Sequence, residues 1–368
     1  MTTRDDLVDM RWMDRALELA ERGRYGVSPN PMVGAVVVRG GRVAGEGFHE
    51  RAGRPHAEVR ALDRAGRLSR GSDLYVSLEP CAHFGATPPC TEAILASGVR
   101  RVVFAGRDPN PLVSGKGLAA LRRSGVEVLE SDGARRARAE RQNEKFRLWI
   151  ADARPFVLAK WAQSLDGKIA PARGPGRWIT AEKARERAML LREEYDAVLV
   201  GASTVLADDP LLTRRLGRNR GEHRRIVLDG RLRVSPTARI FRSPEGALVV
   251  TSRPEHHPAV RRLAARGVTV WSMDGGEGGR VPIRRLLRRL GREGVTSLLV
   301  EGGGQTQWEF LRAGRVDRVA VFLSPRLLGG SGAPGSVGGS GFSLAAAPRL
   351  RDPEIEAVGK DFLLTALL

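Results

Sequence analysis

The chain has 368 residues, of which 42% are apolar, and its formal net charge of +19 comes mostly from arginine. This length fits two ordinary domains, and the composition excludes a disordered protein. No apolar run approaches the ~18 residues of a membrane-spanning helix, and the first residues lack the apolar core of a secretory signal. Two cysteines are too few for a disulfide framework, which favours a cytoplasmic, reducing location.

The arginines are scattered along the chain, and aromatic residues make up only 5% of it. Arginine on the exposed faces of amphipathic helices accounts for most of this charge. Nucleic-acid binding and the binding of an anionic small molecule are both compatible with the remainder. Composition alone does not choose between them.

Helical and strand patterns alternate along the first part of the chain. The predicted order is helix 10–23, two strands within 32–49 around a Gly-Gly turn, helix 57–66, strand 72–80, helix 90–98, strand 99–106, helix 115–125 and strand 126–130. Such a series predicts one mixed sheet with helices on both faces. Residues 134–154 form a charged helical passage, and we place the boundary at its end, which gives domains 1–150 and 151–368.

A second alternating series follows. Strands are predicted at 155–162, 196–201, 224–229, 247–252, 268–273, 297–301 and 318–325, with helices at 181–195, 282–294 and 306–314. The Gly/Ser-rich segment 329–341 is typical of a flexible loop. No internal repeat is present, because the two halves share a class of pattern but no motif.

Both cysteines lie in one short stretch, residues 79–90, downstream of a His-x-Glu at 56–58. Zinc accepts imidazole and thiolate ligands, and a catalytic zinc keeps one position for water, so His56, Cys81 and Cys90 predict a three-ligand catalytic site. Glu58, in the first turn of the predicted helix, can move a proton from the activated water to a leaving amine. Zinc nucleobase deaminases combine H-x-E with P-C-x-x-C in this way.

Three features count against this interpretation. A His-x-Glu alone is common, and two buried cysteines are often structural. The gap of eight residues between Cys81 and Cys90 also differs from the short C-x-x-C form. Both cysteines nevertheless follow prolines, and Cys90 opens a predicted helix, where a thiolate is favoured.

Five segments, "ALELAERG…SPNPMVGAVVV", "HAEVRAL", "EPCAHFGATPPC", "AILASGVRRVV" and "DPNPLVSGKGLAAL", resemble the deaminase half of the bifunctional riboflavin-biosynthesis deaminase/reductase family. The resemblance implies a cytidine-deaminase-like three-layer α/β/α domain. It implies His56, Cys81 and Cys90 as zinc ligands, Glu58 as the proton shuttle, and Asn30 and His49 as substrate contacts. A plain turn at Asn30 or a strand end at His49 would explain those two residues equally simply.

One position departs from this family. The residue before "TPPC" is often basic, whereas this chain has Ala86. A phosphate contact expected from that basic residue is therefore in doubt, and a nearby arginine is the alternative.

The second half contains a strand, three glycines and a helix at 297–314. Glycines let the backbone approach a phosphate closely, and the following helix N-terminus attracts anions. The motif is not G-x-G-x-x-G, so a Rossmann domain is disfavoured. Taken alone, Glu301 at the end of this strand is as compatible with a plain edge carboxylate as with a site residue.

Four blocks in order, "LAKWAQSLDGKIA", "WIT", "VGASTVLADDPLLTRR" and "VEGG", resemble the reductase half of the same family. The resemblance implies a dihydrofolate-reductase-like α/β domain that uses NADPH, with Lys160 polarising or protonating the opened ribose. The implied cofactor contacts are Ala162, Trp178, Thr204, Asp208, Gly230, Gly303, Gly304, Gln305 and Thr306. The implied substrate contacts are Gly176, Arg192, Leu212, Arg215 and Glu301.

Two of these positions limit what the side chain can do. Gly176 stands where the family usually has serine, and Gly230 can contact the cofactor only through its backbone. Ser252 and Arg253 follow a predicted strand end and are candidates for holding the 2′-phosphate of NADPH. An ordinary exposed turn explains these two residues as well.

The function expected from the resemblance has two steps. Zinc-dependent deamination of 2,5-diamino-6-(5-phosphoribosylamino)pyrimidin-4-one is followed by NADPH-dependent reduction of the ribosyl group of 5-amino-6-(5-phosphoribosylamino)uracil. The expected partner is this phosphorylated small molecule, without nucleic acid or membrane, in a homodimer or larger homo-oligomer. Two alternatives are a zinc deaminase acting on tRNA or another nucleic acid and an inactive deaminase fold that binds RNA.

Overall fold

The computed structural model describes residues 4–84, 88–111, 113–173, 178–219, 221, 223–273 and 279–368. The chain separates into two compact units, Met1–Ala153 and Arg154–Leu368. Among the described residues, no helix has both the length and the apolar character needed to cross a membrane.

Five strands and six α-helices are present in the described part of the first unit. The strands are β1 (Gly34–Arg39), β2 (Arg42–Phe48), β3 (Asp73–Leu78), β4 (Arg101–Gly106) and β5 (Glu127–Glu130). The helices are α1 (Arg4–Glu21), α2 (Ala57–Ala65), α3 (Cys90–Ser97), α4 (Lys116–Arg123), α5 (Gly133–Gln142) and α6 (Glu144–Asp152). The passage predicted as one helical segment at 134–154 is two helices that meet at Asn143.

These strands form one sheet in the order β2-β1-β3-β4-β5, with β1 antiparallel to both neighbours and β3, β4 and β5 parallel. The predicted hairpin turn is present, with positive φ at Gly40 and Gly41. Alternate strand residues enter two separate cores: Val76 packs with α2, α3 and α4, and Tyr75 packs with α1 and α5. The three-layer α/β/α architecture is confirmed.

The described residues of the second unit form nine strands and five α-helices. The strands are β6 (Phe156–Ser164), β7 (Ala197–Gly201), β8 (Arg224–Leu228), β9 (Ala247–Thr251), β10 (Thr269–Ser272), β11 (Ser297–Val300), β12 (Arg318–Ser324), β13 (Arg351–Val358) and β14 (Asp361–Leu367). The helices are α7 (Glu182–Glu194), α8 (Ala202–Asp208), α9 (Pro258–Ala264), α10 (Ile283–Arg292) and α11 (Gly304–Arg312).

The sheet order is β10-β9-β8-β7-β11-β6-β12-β14-β13, parallel from β10 through β12 and antiparallel at β14 and β13. Its main core joins the strands to α10 and α11 through residues such as Leu199, Leu286 and Phe310. The sequence patterns do not predict β13 or β14. Strand β13 has four charged residues and a proline among its eight and is exposed, so it lacks the apolar signal of a strand.

Candidate active sites

Three potential metal ligands meet at one edge of the first sheet. His56 is the residue before α2, Cys90 is the first residue of α3, and Cys81 follows the end of β3. The distance from His56 Nδ1 to Cys90 Sγ is 3.1 Å, and to Cys81 Sγ it is 3.6 Å. All three ligand atoms lie within 4.8 Å of one another.

These distances fit zinc. Ligands in a tetrahedron at the usual Zn–N and Zn–S lengths are separated by roughly 3.3 to 3.8 Å. A hydrogen bond with Cys90, together with one from His56, outweighs burial and lowers the pKa of the Cys81 thiol to about 4. The same shared hydrogen bond, together with burial, raises the pKa of Cys90. One imidazole and two thiols, one of them readily ionised, form a donor set that suits zinc.

Glu58 lies beside these ligands and is 3% exposed. Burial raises the pKa of its carboxyl group, although the charge of His56 opposes that shift. Its Oε2 atom is buried without a hydrogen-bond partner among the described residues. A carboxyl group with a raised pKa and one oxygen not used by the fold is suited to general acid–base chemistry.

Asn30 and His49 line the same cavity, which has a volume of about 210 Å³. The Asn30 amide nitrogen lies 3.0 Å from His49 Nε2, and His49 Nδ1 lies 3.3 Å from the Pro55 carbonyl oxygen. Burial lowers the pKa of His49 to about 4, so its ring is neutral at pH 7. Because an amide nitrogen only donates, Nε2 accepts from Asn30 and Nδ1 donates to Pro55. Asn30 and His49, the two residues predicted to contact the substrate, are thus hydrogen-bonded to each other.

The cavity also includes residues to which the sequence analysis gave no role: Arg54, Glu79, His83, Asp108, Asn110 and Phe146. Asp108 follows β4, which is the parallel neighbour of β3, so it lies at the same sheet edge as Cys81. Its Oδ1 accepts from the Asn110 backbone N–H at 2.8 Å. In the sequence, the "DPNP" segment that follows a buried strand is the feature that could have indicated Asp108 as a site residue. Ala86 is outside the described residues.

A second cavity, of about 460 Å³, lies in the other unit. Lys160 and Ala162 are on β6, and Glu301 directly follows β11, which pairs in parallel with β6. Seven of the predicted site residues line this cavity: Lys160, Ala162, Trp178, Arg192, Leu212, Arg215 and Glu301. The structure therefore brings together the predicted substrate contacts that it describes. Gly176 is outside the described residues.

Two cations hold the Glu301 carboxylate. Arg192 donates to both of its oxygens, at 3.0 and 2.8 Å, and Lys160 Nζ lies 3.8 Å from Oε2. Burial alone would raise the pKa of Glu301, but Arg192 and Lys160 outweigh it and lower the pKa to about 2. Burial lowers the pKa of Lys160, Glu301 opposes that shift, and Arg192 adds to it. A lysine with a lowered pKa gives up its proton more readily than an exposed one.

Glu193, on α7, organises the loop that carries Arg215. It is fully buried, and its carboxylate accepts the backbone N–H groups of Arg215, Leu216, Arg218 and Asn219 at 2.9 to 3.1 Å. Burial alone would raise the pKa of Glu193, but the bonds from Asn219, Leu216 and Arg215, together with the charge of Arg214, outweigh it and hold the pKa below its usual value. The sequence analysis missed this residue because nothing in a helical "REE" indicates a partner twenty residues later.

The glycine turn lies between β11 and α11. The Gly303 N–H donates to Thr204 Oγ1 at 3.1 Å, and the Gly338 N–H donates to the Gly304 carbonyl at 2.9 Å. Segment 329–341, expected to be a flexible loop, thus contacts the first residue of α11. Gln307 Nε2 donates to the Lys160 carbonyl at 3.1 Å and so links α11 to β6.

The other predicted cofactor contacts do not all lie in one cavity. Gly230, Gln305 and Thr306 line a separate cavity of about 280 Å³. Asp208 is exposed at the end of α8 and is not among the described lining residues of these two cavities. Ser252 Oγ donates towards the carbonyls of Gly230 and Gly279, both at 2.8 Å, so the fold uses this hydroxyl.

Comparison with known proteins matches each unit to a family. Residues 7–106 match the cytidine and deoxycytidylate deaminase zinc-binding region, and residues 155–364 match the RibD C-terminal domain. The riboflavin biosynthesis protein RibD of Aquifex aeolicus is 42% identical over 97% of this chain and 98% of its own length. The Escherichia coli protein of the same name is 39% identical over 97% and 98%.

Solved structures agree with these matches. Acinetobacter baumannii RibD has a TM-score of 0.88 at 36% identity, covering 98% of this chain and 99% of that one. A diaminohydroxyphosphoribosylaminopyrimidine deaminase/5-amino-6-(5-phosphoribosylamino)uracil reductase from Thermotoga maritima has a TM-score of 0.85 at 37% identity, covering 99% of both.

Fold and sites together define a zinc-dependent deaminase joined to an NADPH-dependent reductase. The chain belongs to the RibD family and is a bifunctional deaminase and reductase of riboflavin biosynthesis. The match of the second unit accounts for the part of the chain that a nucleic-acid deaminase would leave unexplained.

Proposed function

We propose that the first unit deaminates 2,5-diamino-6-(5-phosphoribosylamino)pyrimidin-4-one and that the second reduces the ribosyl group of 5-amino-6-(5-phosphoribosylamino)uracil. The observation that carries this assignment is the presence of two separate polar cavities. One joins His56, Cys81 and Cys90 to Glu58, and the other joins Lys160 to Glu301.

In the first cavity, zinc held by His56, Cys81 and Cys90 supplies Lewis-acid activation of water. Glu58 accepts the proton of the attacking water and delivers it to the departing amine, which leaves as ammonia. The neutral His49 and its partner Asn30 contact the substrate through polar atoms that do not change charge at pH 7.

In the second cavity, NADPH supplies the reducing equivalent, and the glycine turn with Thr204 supports its binding. Lys160 donates a proton to the ribose oxygen as the sugar ring opens. Glu301 keeps the Lys160 ammonium oriented, and Arg192 keeps Glu301 ionised. Leu212 and Arg215 contact the substrate from the loop that Glu193 organises.

A homodimer or larger homo-oligomer, formed through the second unit, completes the proposal. Ile355 pairs with Leu364 and Ala357 with Phe362, so these four apolar side chains share one face of β13 and β14. Ile355 is 66% exposed and Phe362 is 45% exposed. A second copy would cover this face. A reducing cytoplasmic location fits a site that needs both cysteines as free thiols.

The two-site assignment is tested by one substitution in each cavity. Glu58→Gln should lower ammonia release by about 10²- to 10⁴-fold while leaving NADPH oxidation on the deaminated pyrimidine unchanged. Lys160→Ala should do the opposite, with normal ammonia release and little NADPH oxidation. Both reactions are measured on purified protein, one by ammonia and the other by NADPH absorbance.

Zinc content separates the roles inside the first cavity. Glu58→Gln should keep one zinc per chain, because Glu58 moves protons and does not bind the metal, whereas Cys81→Ser should lose both metal and ammonia release. If a folded Glu58→Gln protein lost both reactions, a single shared active site would replace this proposal.

A further inference from the structure

Acidic side chains outnumber arginine and lysine around the deaminase cavity. Three carboxyl groups, those of Glu58, Glu79 and Asp108, are among its lining residues, and all three are buried. Among the described lining residues, Arg54 is the only arginine or lysine. The planar guanidinium of an arginine offers five N–H donors to a ligand.

Arg54 lies in the turn that leads from β2 to α2, two residues before His56. Its backbone N–H donates to the Arg51 carbonyl at 3.1 Å, and Gly53 before it has a positive φ of 77°. The turn is therefore defined by backbone contacts, which leaves the side chain unconstrained. Arg54 is exposed.

The guanidinium of Arg54 is not used by the fold. Nearby, Arg60 pairs with Glu50 at 2.6 Å, whereas no carboxylate in the described part of the chain lies within ion-pair distance of Arg54. An arginine that lines a cavity without a counter-ion can give its donors to a ligand. Its planar fork matches phosphate oxygens in pairs.

The proposed substrate of this cavity carries a phosphate with a charge of about −1.5 to −2 at pH 7. A phosphate is held most firmly where a positively charged side chain donates hydrogen bonds to its oxygens. Ala86 is uncharged and cannot supply such a side chain. The remaining fixed cation on the described wall is Arg54.

We propose that Arg54 binds the phosphate group of the deaminase substrate and so determines the preference of this cavity for the phosphorylated pyrimidine. The inference rests on the proposed function of the first unit. Arg54 acts in binding and does not touch the reacting amine, so it sets KM and leaves the proton transfers of Glu58 unchanged.

The test compares Arg54→Ala with Arg51→Ala, a change in the same exposed turn at a residue that is not among the described lining residues. Arg54→Ala should raise KM for ammonia release by about 10- to 100-fold, with kcat and zinc content unchanged. It should raise the Ki of ribose 5-phosphate, used as a competitive inhibitor, by the same factor. Arg51→Ala should behave as the wild type.

Equal KM values for Arg54→Ala and Arg51→Ala, with the wild type active, would overturn the phosphate assignment and leave the deaminase function intact. An increase in KM without a change in the Ki of ribose 5-phosphate would also overturn the phosphate assignment. Such a result would show that the substitution distorts the cavity and does not remove a phosphate contact. If the wild-type protein released no ammonia from this pyrimidine, the proposed function itself would fail.

Discussion

The reductase cavity shows how three buried charged side chains change one another's chemistry. Glu301 is ionised because Arg192 and Lys160 face it, and Lys160 has a lowered pKa because burial outweighs that single carboxylate. The resemblance to the reductase half of the family implied a site here, but the direction of each pKa shift required the contacts. The 3.8 Å from Lys160 Nζ to Glu301 shows that this lysine is paired more loosely than Arg192.

The depressed pKa of Glu301 predicts a loss of stability in acid. Its pKa is about 2 in the folded chain against an ordinary value of 4.5, so it favours the folded state above pH 4.5. That contribution disappears as pH falls from about 4.5 through 2. The second unit of the wild-type protein should therefore melt at a higher temperature than that of Glu301→Gln. This difference in melting temperature should be largest above pH 4.5 and should shrink towards pH 2.

Thermal unfolding followed by circular dichroism over this pH range measures both proteins. Other carboxylates titrate in the same pH range. Because they do so in both proteins, their effects cancel in the difference between the two melting temperatures. A difference that stayed constant with pH would mean that Glu301 is not held ionised by its two cations.

Among the elements, the junction of the glycine turn with α11 leaves no room for a side chain at Gly304. A Cβ atom on Gly304 would lie 2.6 Å from the Gly335 carbonyl oxygen, whereas one on Gly303 would meet nothing closer than Thr204 Oγ1 at 3.6 Å. Neither glycine has a positive φ. Close approach of segment 329–341, and not backbone conformation, therefore requires glycine at 304.

Gly304→Ala should destabilise the second unit by about 1 to 3 kcal/mol, the usual cost of overpacking, and should weaken NADPH binding. Gly303→Ala is the matched control and should cost less, since its methyl group fits. Urea unfolding and titration with NADPH measure the two effects. Equal losses of stability and NADPH binding in both variants would show that the turn tolerates no methyl group at either position. The contact with Gly335 would then not be the cause.

Sequence patterns predicted the elements with a strong period and missed those without one. The β1–β2 hairpin and the buried parallel strands were evident from apolar runs and glycines. Strand β13 was not, because Arg351, Asp352, Pro353 and Glu354 hide it. At the sites, motifs identified the metal ligands. Arg54 and Glu193 were not identified, because neither residue belongs to a local sequence motif.

On the scale of the whole molecule, the second sheet ends in an uncovered apolar face. The opposite face of β13 meets α7, where Arg187 lies 3.5 Å from Glu356. If a second copy covers Ile355 and Phe362, Ile355→Lys should shift the protein to monomers because it would bury an unpaired charge. Light scattering after size-exclusion chromatography measures the mass.

Glu354→Lys, a charge change on the same strand but on the other face, is the control and should leave the mass unchanged. A wild-type protein that is monomeric at micromolar concentration would remove this interface from the proposal. An oligomer that survives Ile355→Lys would place the interface elsewhere.

Each unit has its own core and its own cavity, yet one polypeptide carries both. Translation of a single message therefore always delivers the two catalysts in equal numbers, in a monomer or in any homo-oligomer. A cell that changes expression of this gene scales production and removal of the deaminated intermediate together. The balance between the two steps is set by the rate constants of the two sites and not by gene regulation.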